Sequence, residues 1–212
     1  MITIKTFIFN DFQVNTYLLY DESKECVIVD AGNYYEKENR DLSEFVLRNN
    51  LKPVRLLNTH CHIDHITGNL FVSEKFGLKP EAHQEEELLI KNAVVYGGVF
   101  GFILNQPPLI KQYLKDQDII NFGNSNLKVI SVPGHSKGSI AFYSEDFSFI
   151  ITGDALFKGS IGRTDLPGGD YDTLISSITQ RLLILPAEVT VFPGHGTEST
   201  IGYETLHNPF LQ

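Results

Sequence analysis

The first third of the chain alternates short apolar runs with polar turns. Residues Ile2 to Phe9 (ITIKTFIF) carry apolar side chains at every second position early on, the period of a half-buried strand. NTYLLY and CVIVD follow as two more strands, parted by the polar turn DESKE. CVIVD ends in Asp30-Ala31-Gly32, a strand running into a tight turn. The stretch from Glu36 to Asn50 places Leu42, Phe45 and Val46 on one helical face, and VRLLN (Val54 to Asn58) is again a buried strand. From Glu85 to Leu114 the pattern is helical and irregular, with a break at Asn105-Gln106-Pro107-Pro108. LKVISV, IAFY and SFIIT supply three further strands. Leu174, Ile178 and Leu182 recur every four residues, which predicts a helix over Tyr171 to Leu185. VTVF is the last strand, and Ser199 to His207 is a closing helix. Strands, helix, strand and helix thus occur in order, and the pattern then repeats. That order predicts an α/β fold with helices packed outside two sheets, a four-layer αββα sandwich. No linker or shift of composition divides the chain, so residues 1–212 are expected to form one domain.

Composition narrows the function. With 42% hydrophobic and 20% charged residues, the 212-residue chain is an ordinary globular one, long enough for a well-buried core. A net charge of −9 repels phosphate backbones and anionic lipid, which argues against nucleic-acid and membrane-surface partners. Two cysteines, Cys26 and Cys61, provide no disulfide framework. The most apolar stretch, Ala93 to Leu104, is interrupted by glycines and falls short of the roughly 20 residues that span a bilayer. The N-terminal stretch reads as structure rather than as a signal peptide, so a cytoplasmic location is expected.

The chemistry is concentrated in the histidines. Three of the seven fall within six positions, His60-Cys61-His62-Ile63-Asp64-His65, directly after the strand VRLLN. Residues two apart in an extended stretch point the same way, so His60 and His62 can bind one ion. Asp64 and His65 follow after the chain turns and can face a second. Packing alone gives no reason to crowd three imidazoles and a carboxylate together. Three more candidates begin loops at strand ends, each just after a glycine: His135 in PGHS, Asp154 in TGD and His195 in PGHG. His83 and His207 read as capping or surface residues. Strand alternation points Cys61 away from its histidine neighbours, so it reads as a buried apolar residue.

THCHIDHITG, PGHSKGS, TGDALFKGSIGRTDLPGGD and PGHGTESTIGYE, closing with NPF, resemble the metallo-β-lactamase superfamily over essentially the whole chain. Within it they are similar to the hydroxyacylglutathione hydrolase (glyoxalase II) branch. The resemblance implies a dinuclear site in which His60, His62 and His135 hold one divalent metal and Asp64, His65 and His195 hold the other. Asp154 would bridge both, and a bridging water or hydroxide would complete the site, with Asp64 and Asp154 as its catalytic carboxylates. Zinc suits these donors best, and iron or manganese also fit. The expected reaction is hydrolysis of a small acyl thioester resembling S-lactoylglutathione, because a thiolate can leave without a general acid. A sulfur (persulfide) dioxygenase using one iron and a lactonase are the competing readings. The longer glyoxalase II type carries a further helical region that helps hold glutathione. The sequence here closes soon after Asn208-Pro209-Phe210, so glutathione recognition is expected to be weak. Around the metals, Asp30 is placed either to fix the tautomer of a ligand histidine or to cap a turn, and Thr59 and Ser139 either to hydrogen-bond nearby or to satisfy backbone groups. Arg163 and Asp165 are expected to pair and hold the loop after Asp154. Tyr96, Phe100 and Phe102 are assigned to core packing, with the substrate mouth as their other role.

Overall fold

A computed structural model describes residues 1–212. The chain forms two compact units, one of residues 1–113 with 121–125, the other of 114–120 with 126–212. No helix is long and apolar enough to cross a membrane.

The first unit is built on a six-stranded sheet in the order β1 to β6: β1 (Thr3–Phe9), β2 (Val14–Tyr20), β3 (Glu25–Val29), β4 (Lys52–Leu57), β5 (Pro80–Ala82) and β6 (Gln112–Tyr113). The first three strands pair antiparallel, and β3 to β6 run parallel. Helix α1 (Glu36–Arg48) crosses from β3 to β4. It starts where Glu38 accepts hydrogen bonds from the Tyr34 and Tyr35 amides, at 2.8 and 3.0 Å. Its Leu42 and Val46, one turn apart, pack on Leu18, Cys26, Ile28 and Leu56. Val72 of α3 (Asn69–Phe76) joins the same cluster. Val27, Val29 and Leu57 on the alternate positions are also fully buried. A sheet covered on both faces needs continuous apolar runs, which is why CVIVD shows no alternation.

Between α1 and β6 lie α2 (Ile63–Ile66), α3, α4 (Glu87–Lys91) and α5 (Ala93–Val99). The irregular segment therefore contains two short helices, and its aromatic residues divide. Phe102 is buried against Phe12 and Tyr34, as expected of core. Phe100 departs from the core reading: it is 37% exposed and meets Phe12 only edge-on.

The second sheet has the order β14-β13-β10-β9-β8-β7. Its strands are β7 (Ile119–Phe122), β8 (Ser125–Ser131), β9 (Ile140–Ser144), β10 (Phe149–Gly153), β13 (Thr190–Pro193) and β14 (Ser199–Thr200). A small hairpin, β11 (Leu156–Phe157) and β12 (Ser160–Ile161), follows β10. Helix α6 (Tyr171–Ser177) is capped by the Asp170 carboxylate and continues as a π-helical segment, Ile178–Leu182. Its Leu174, Ile178 and Leu182 pack with Ile201 of α7 (Ile201–His207) on Ile130, Ala141, Ile150 and Val191.

Candidate metal centre

The histidine-rich segment leaves β4 through Asn58 and Thr59. It stays extended to His62 and then closes into the single-turn helix α2, which carries Asp64 and His65. The rings of His60 and His62 lie 4.9 Å apart, and those of His60 and His65 lie 4.1 Å apart. The turn after His62 thus folds His65 back beside His60. Asp64 Oδ2 is 3.6 Å from His65 Nε2.

Asp30 organises this group from below. It ends β3 in a left-handed conformation (φ 52°), which an aspartate tolerates better than most side chains. Wholly buried, it accepts the Thr59 amide at 2.7 Å and the Thr59 hydroxyl at 2.6 Å, and its Oδ2 lies 3.1 Å from His65 Nδ1. A carboxylate only accepts, so His65 carries its proton on Nδ1 and keeps the Nε2 lone pair for a cation. The Thr59 hydroxyl spends its one proton on Asp30. It therefore accepts from His60 Nδ1, 3.0 Å away, which leaves His60 in the same tautomer. Asp30, His60 and His65 each bring a ligand-type atom within 4.8 Å of the others.

In the second unit the donors come from three strand ends. His135 follows β8, Asp154 follows β10 and His195 follows β13. His135 Nδ1 donates to the Arg163 carbonyl at 2.8 Å, so the proton is on Nδ1 and Nε2 carries the lone pair. Asp154 Oδ2 lies 3.6 Å from His135 Nε2 and 3.5 Å from His195 Nε2. Glycine is required here. A Cβ on Gly162 would meet the Asp154 carbonyl at 1.8 Å and His135 Nδ1 at 3.1 Å. A Cβ on Gly134 would strike the Leu174 backbone at 2.3 Å, so the loop that presents His135 lies directly on the first turn of α6.

These separations test whether the donors suit a metal. Carboxylate-to-imidazole distances of 3.5–3.6 Å are too long for good hydrogen bonds. Two donors each about 2.0–2.2 Å from one tetrahedral ion stand about 3.4 Å apart. The pairs in both units match that spacing, and neutral imidazole with carboxylate is the donor chemistry of zinc and iron. The residues fit a divalent metal.

The other expected residues divide. The Ser139 hydroxyl is turned to Ser136 rather than to a metal ligand. It meets the Ser136 hydroxyl at 2.7 Å and accepts the Ser136 amide at 3.2 Å, which closes the turn after His135. Arg163 and Asp165 pair through two 2.7 Å bonds, and the guanidinium holds the exposed Asp165 carboxyl down at about 2. Cys61 is buried in an apolar cluster with Ile63 and Ile66, and burial pushes its thiol well above its ordinary range. His83 caps a 3-10 turn by accepting the Glu85 amide, and His207 packs on Tyr203. Sequence reasoning missed two residues. Asn10 donates to the Asp64 carbonyl at 2.9 Å and to the Gly32 carbonyl at 2.8 Å. Glu86, wholly buried, accepts the Cys61 amide at 2.6 Å. Neither has a local signal: Asn10 reads as a turn residue and Glu86 as part of an acidic, solvated run.

Comparison with known proteins places this geometry. Residues 9–195 match the family model of the metallo-beta-lactamase superfamily. "Hydroxyacylglutathione hydrolase GloC" of Haemophilus influenzae is 36% identical over 207 residues, covering 94% of this chain and 93% of its own. The crystal structure of BLEG-1 B3 metallo-beta-lactamase is 33% identical, with a TM-score of 0.91 over 99% of this chain and all of that one. The crystal structure of TTHA1623 in a di-iron-bound form is 34% identical, with a TM-score of 0.88 over 98% of this chain and all of that one. The fold is therefore the metallo-β-lactamase fold, the αββα class predicted from the order of elements. The chain belongs to the metallo-beta-lactamase superfamily.

Proposed function

We propose that the chain is a dimetal hydrolase of the glyoxalase II-like branch that cleaves small acyl thioesters resembling S-lactoylglutathione. The observation that carries the reading is the spacing of the donors: Asp64 with His65 in one unit, and Asp154 with His135 and His195 in the other. His60, His62 and His135 would hold one ion, Asp64, His65 and His195 the other, with Asp154 shared. Two bound divalent ions supply a water acidified toward neutral pH and a positive clamp for the substrate's carbonyl oxygen.

The chain's own groups do the rest. Asp30 and the Arg163 carbonyl fix Nδ1–H on His65 and His135, which keeps both Nε2 lone pairs turned to the site. Asp64 and Asp154 offer acceptor oxygens that orient an attacking water. In the overall reaction the water oxygen bonds to the acyl carbon and the C–S bond breaks. One product is a carboxylic acid, and the departing sulfur takes the remaining proton. A thiol of pKa near 8.5 leaves as its anion, so no side chain has to act as general acid. The relative named as a hydroxyacylglutathione hydrolase matches along 93% of its length, which supports the thioester reading.

A second reading is oxidation of a persulfide sulfur by dioxygen at one iron; what supports it is that the similar TTHA1623 structure holds iron, there in a di-iron-bound form. One panel separates the readings: purified protein, with its metals quantified, assayed on S-lactoylglutathione, a thioester of a smaller thiol, a lactone, a β-lactam and a persulfide with oxygen uptake recorded. We expect thioester cleavage to lead. Oxygen uptake with persulfide and no thioester turnover would replace the first reading by the second.

A further inference from the structure

We propose that Asn10 is a positioning residue for Asp64 and His65, holding the one-turn helix that carries both metal ligands against the end of β3. The inference rests on the metal-binding reading above. It starts from a weakness of α2. A helix of four residues, Ile63–Ile66, is too short to hold itself, because a single turn fixes several dihedrals for very few hydrogen bonds. The amide that would close the next turn on the Asp64 carbonyl is that of Gly68. That amide donates instead to the Ala31 carbonyl at 2.7 Å.

The Asp64 carbonyl is held from outside the helix. Asn10 Nδ2 donates to it at 2.9 Å and to the Gly32 carbonyl at 2.8 Å. The two backbones are in contact: a Cβ on Gly32 would stand 3.1 Å from the Asp64 oxygen. An NH2 group suits the task of joining two carbonyls, since it carries two protons and gives one to each. The Thr67 hydroxyl has one proton. It donates to Gly32 at 2.7 Å and stands 3.4 Å from the Asp64 oxygen, a poor distance for a second bond. Asn10 is itself fixed. It is buried, its amide donates to Glu38 Oε1 at 2.8 Å, and its Oδ1 accepts the Phe12 amide at 2.9 Å. Its backbone is left-handed (φ 50°), which asparagine tolerates better than most residues. The clasp reaches the ligands because the gripped segment, residues 30–32, also carries Asp30, whose Oδ2 lies 3.1 Å from His65 Nδ1. Without Asn10 the helix can shift off that segment. Asp64 Oδ2 and His65 Nε2 then lose the 3.6 Å spacing that suits one ion.

The test uses the full chain and compares wild type with Asn10→Gly, Asn10→Asp and the control Gly159→Ala, which strains the backbone away from the ligands. Asn10→Gly removes the clasp and keeps a residue at ease with the left-handed backbone. Asn10→Asp turns an oxygen toward the two carbonyls and adds a negative charge. That charge alone would tighten cation binding, so a loss of affinity there reports geometry. Zinc affinity is read by chelator competition, the Co(II) spectrum reports ligand geometry, and thermal unfolding of metal-free protein measures how far each variant is destabilised. Asn10→Gly should weaken zinc binding about tenfold and shift the Co(II) bands, and Asn10→Asp should do the same. Gly159→Ala should lower the unfolding midpoint and leave affinity and spectrum as in wild type. If Asn10→Gly binds zinc as tightly as wild type with an unchanged spectrum, Asn10 serves the fold alone and the inference falls. It also falls if Gly159→Ala loses as much affinity, because the loss then follows general destabilisation. Should Asn10→Gly not fold, Asn10→Asp decides: a loss of about threefold or more supports the role, and equal or tighter binding overturns it. If neither variant folds, Asn10 is a folding residue and the inference falls. Failure of wild type itself to bind zinc or cobalt would instead overturn the metal-binding reading, so the two failures are distinguishable.

Discussion

At the scale of single residues, Asp30 does the most with the least exposure. Its two oxygens receive the Thr59 amide, the Thr59 hydroxyl and His65 Nδ1. In Asp30→Asn one oxygen becomes an NH2 group, which sets a donor against a donor on at least one of those contacts. We expect a 10- to 100-fold loss of metal affinity and a loss of stability of about 1–3 kcal/mol, measured by chelator titration and by denaturant unfolding. Unchanged values in both would refute the relay from Asp30 through Thr59 to His60. Cys26 gives a pH signature of its own. Burial, then the Glu25 charge, pushes its thiol up to about 12. An unfolded thiol titrates near 8.5. The folded pKa being the higher, this stabilisation is complete below about pH 8.5 and is lost as the pH rises from there toward 12. Unfolding free energy should therefore decline over that window, and less steeply in Cys26→Ala. Equal slopes for the two proteins would show that Cys26 does not contribute.

At the scale of elements, the β11–β12 hairpin separates two kinds of glycine. Gly159 has φ 66° and open space around it, while Gly162 lies against Asp154 and His135. Gly159→Ala should cost only backbone strain, about 1–2 kcal/mol, with metal content intact. Gly162→Ala must push the chain away from Asp154, so purified protein should lose bound metal as well as stability. Metal analysis beside thermal unfolding checks the pair, and full metal occupancy in Gly162→Ala would show that the hairpin does not set Asp154. These short elements also mark where reading the sequence stops. The long periodic pieces, α1 and the Leu174-Ile178-Leu182 face, are visible because several residues share one period. Strands β5, β6, β11 and β12 have two or three residues each, too few to carry any period. Only pairing with a neighbouring strand makes them strands.

At the scale of the whole molecule, the testable quantity is metal stoichiometry. If, as proposed, two sets of ligands share Asp154, about two ions should bind per chain, and Asp154→Ala should lose both. One ion in fully active protein would overturn the dinuclear arrangement. Imidazole binds metal only when neutral, so acid works against the site. In acid, protons compete with the metal for the imidazole nitrogens, so bound metal and activity should be lost together. Dialysis at stepped pH, with metal quantified at each step, tests this. Full metal retention at pH 5 would contradict histidine ligation.

What the sequence determined by itself is the fold class and the donor inventory. The apolar periods and their order carry the first. The second is local: three imidazoles and a carboxylate sit within six residues, and the remaining donors each follow a glycine at a strand end. What only the tertiary structure decided is how those donors are held. The partners that fix His60, His65 and the Cys61 amide come from Asp30 and Glu86, 25 to 35 residues away in sequence. Glu86 stands in an acidic run that reads as solvated, and Asp30 at a turn where a cap would serve equally well. Their roles arise from burial, because a carboxylate directs a neighbouring proton strongly only once water has been excluded, and folding alone excludes it.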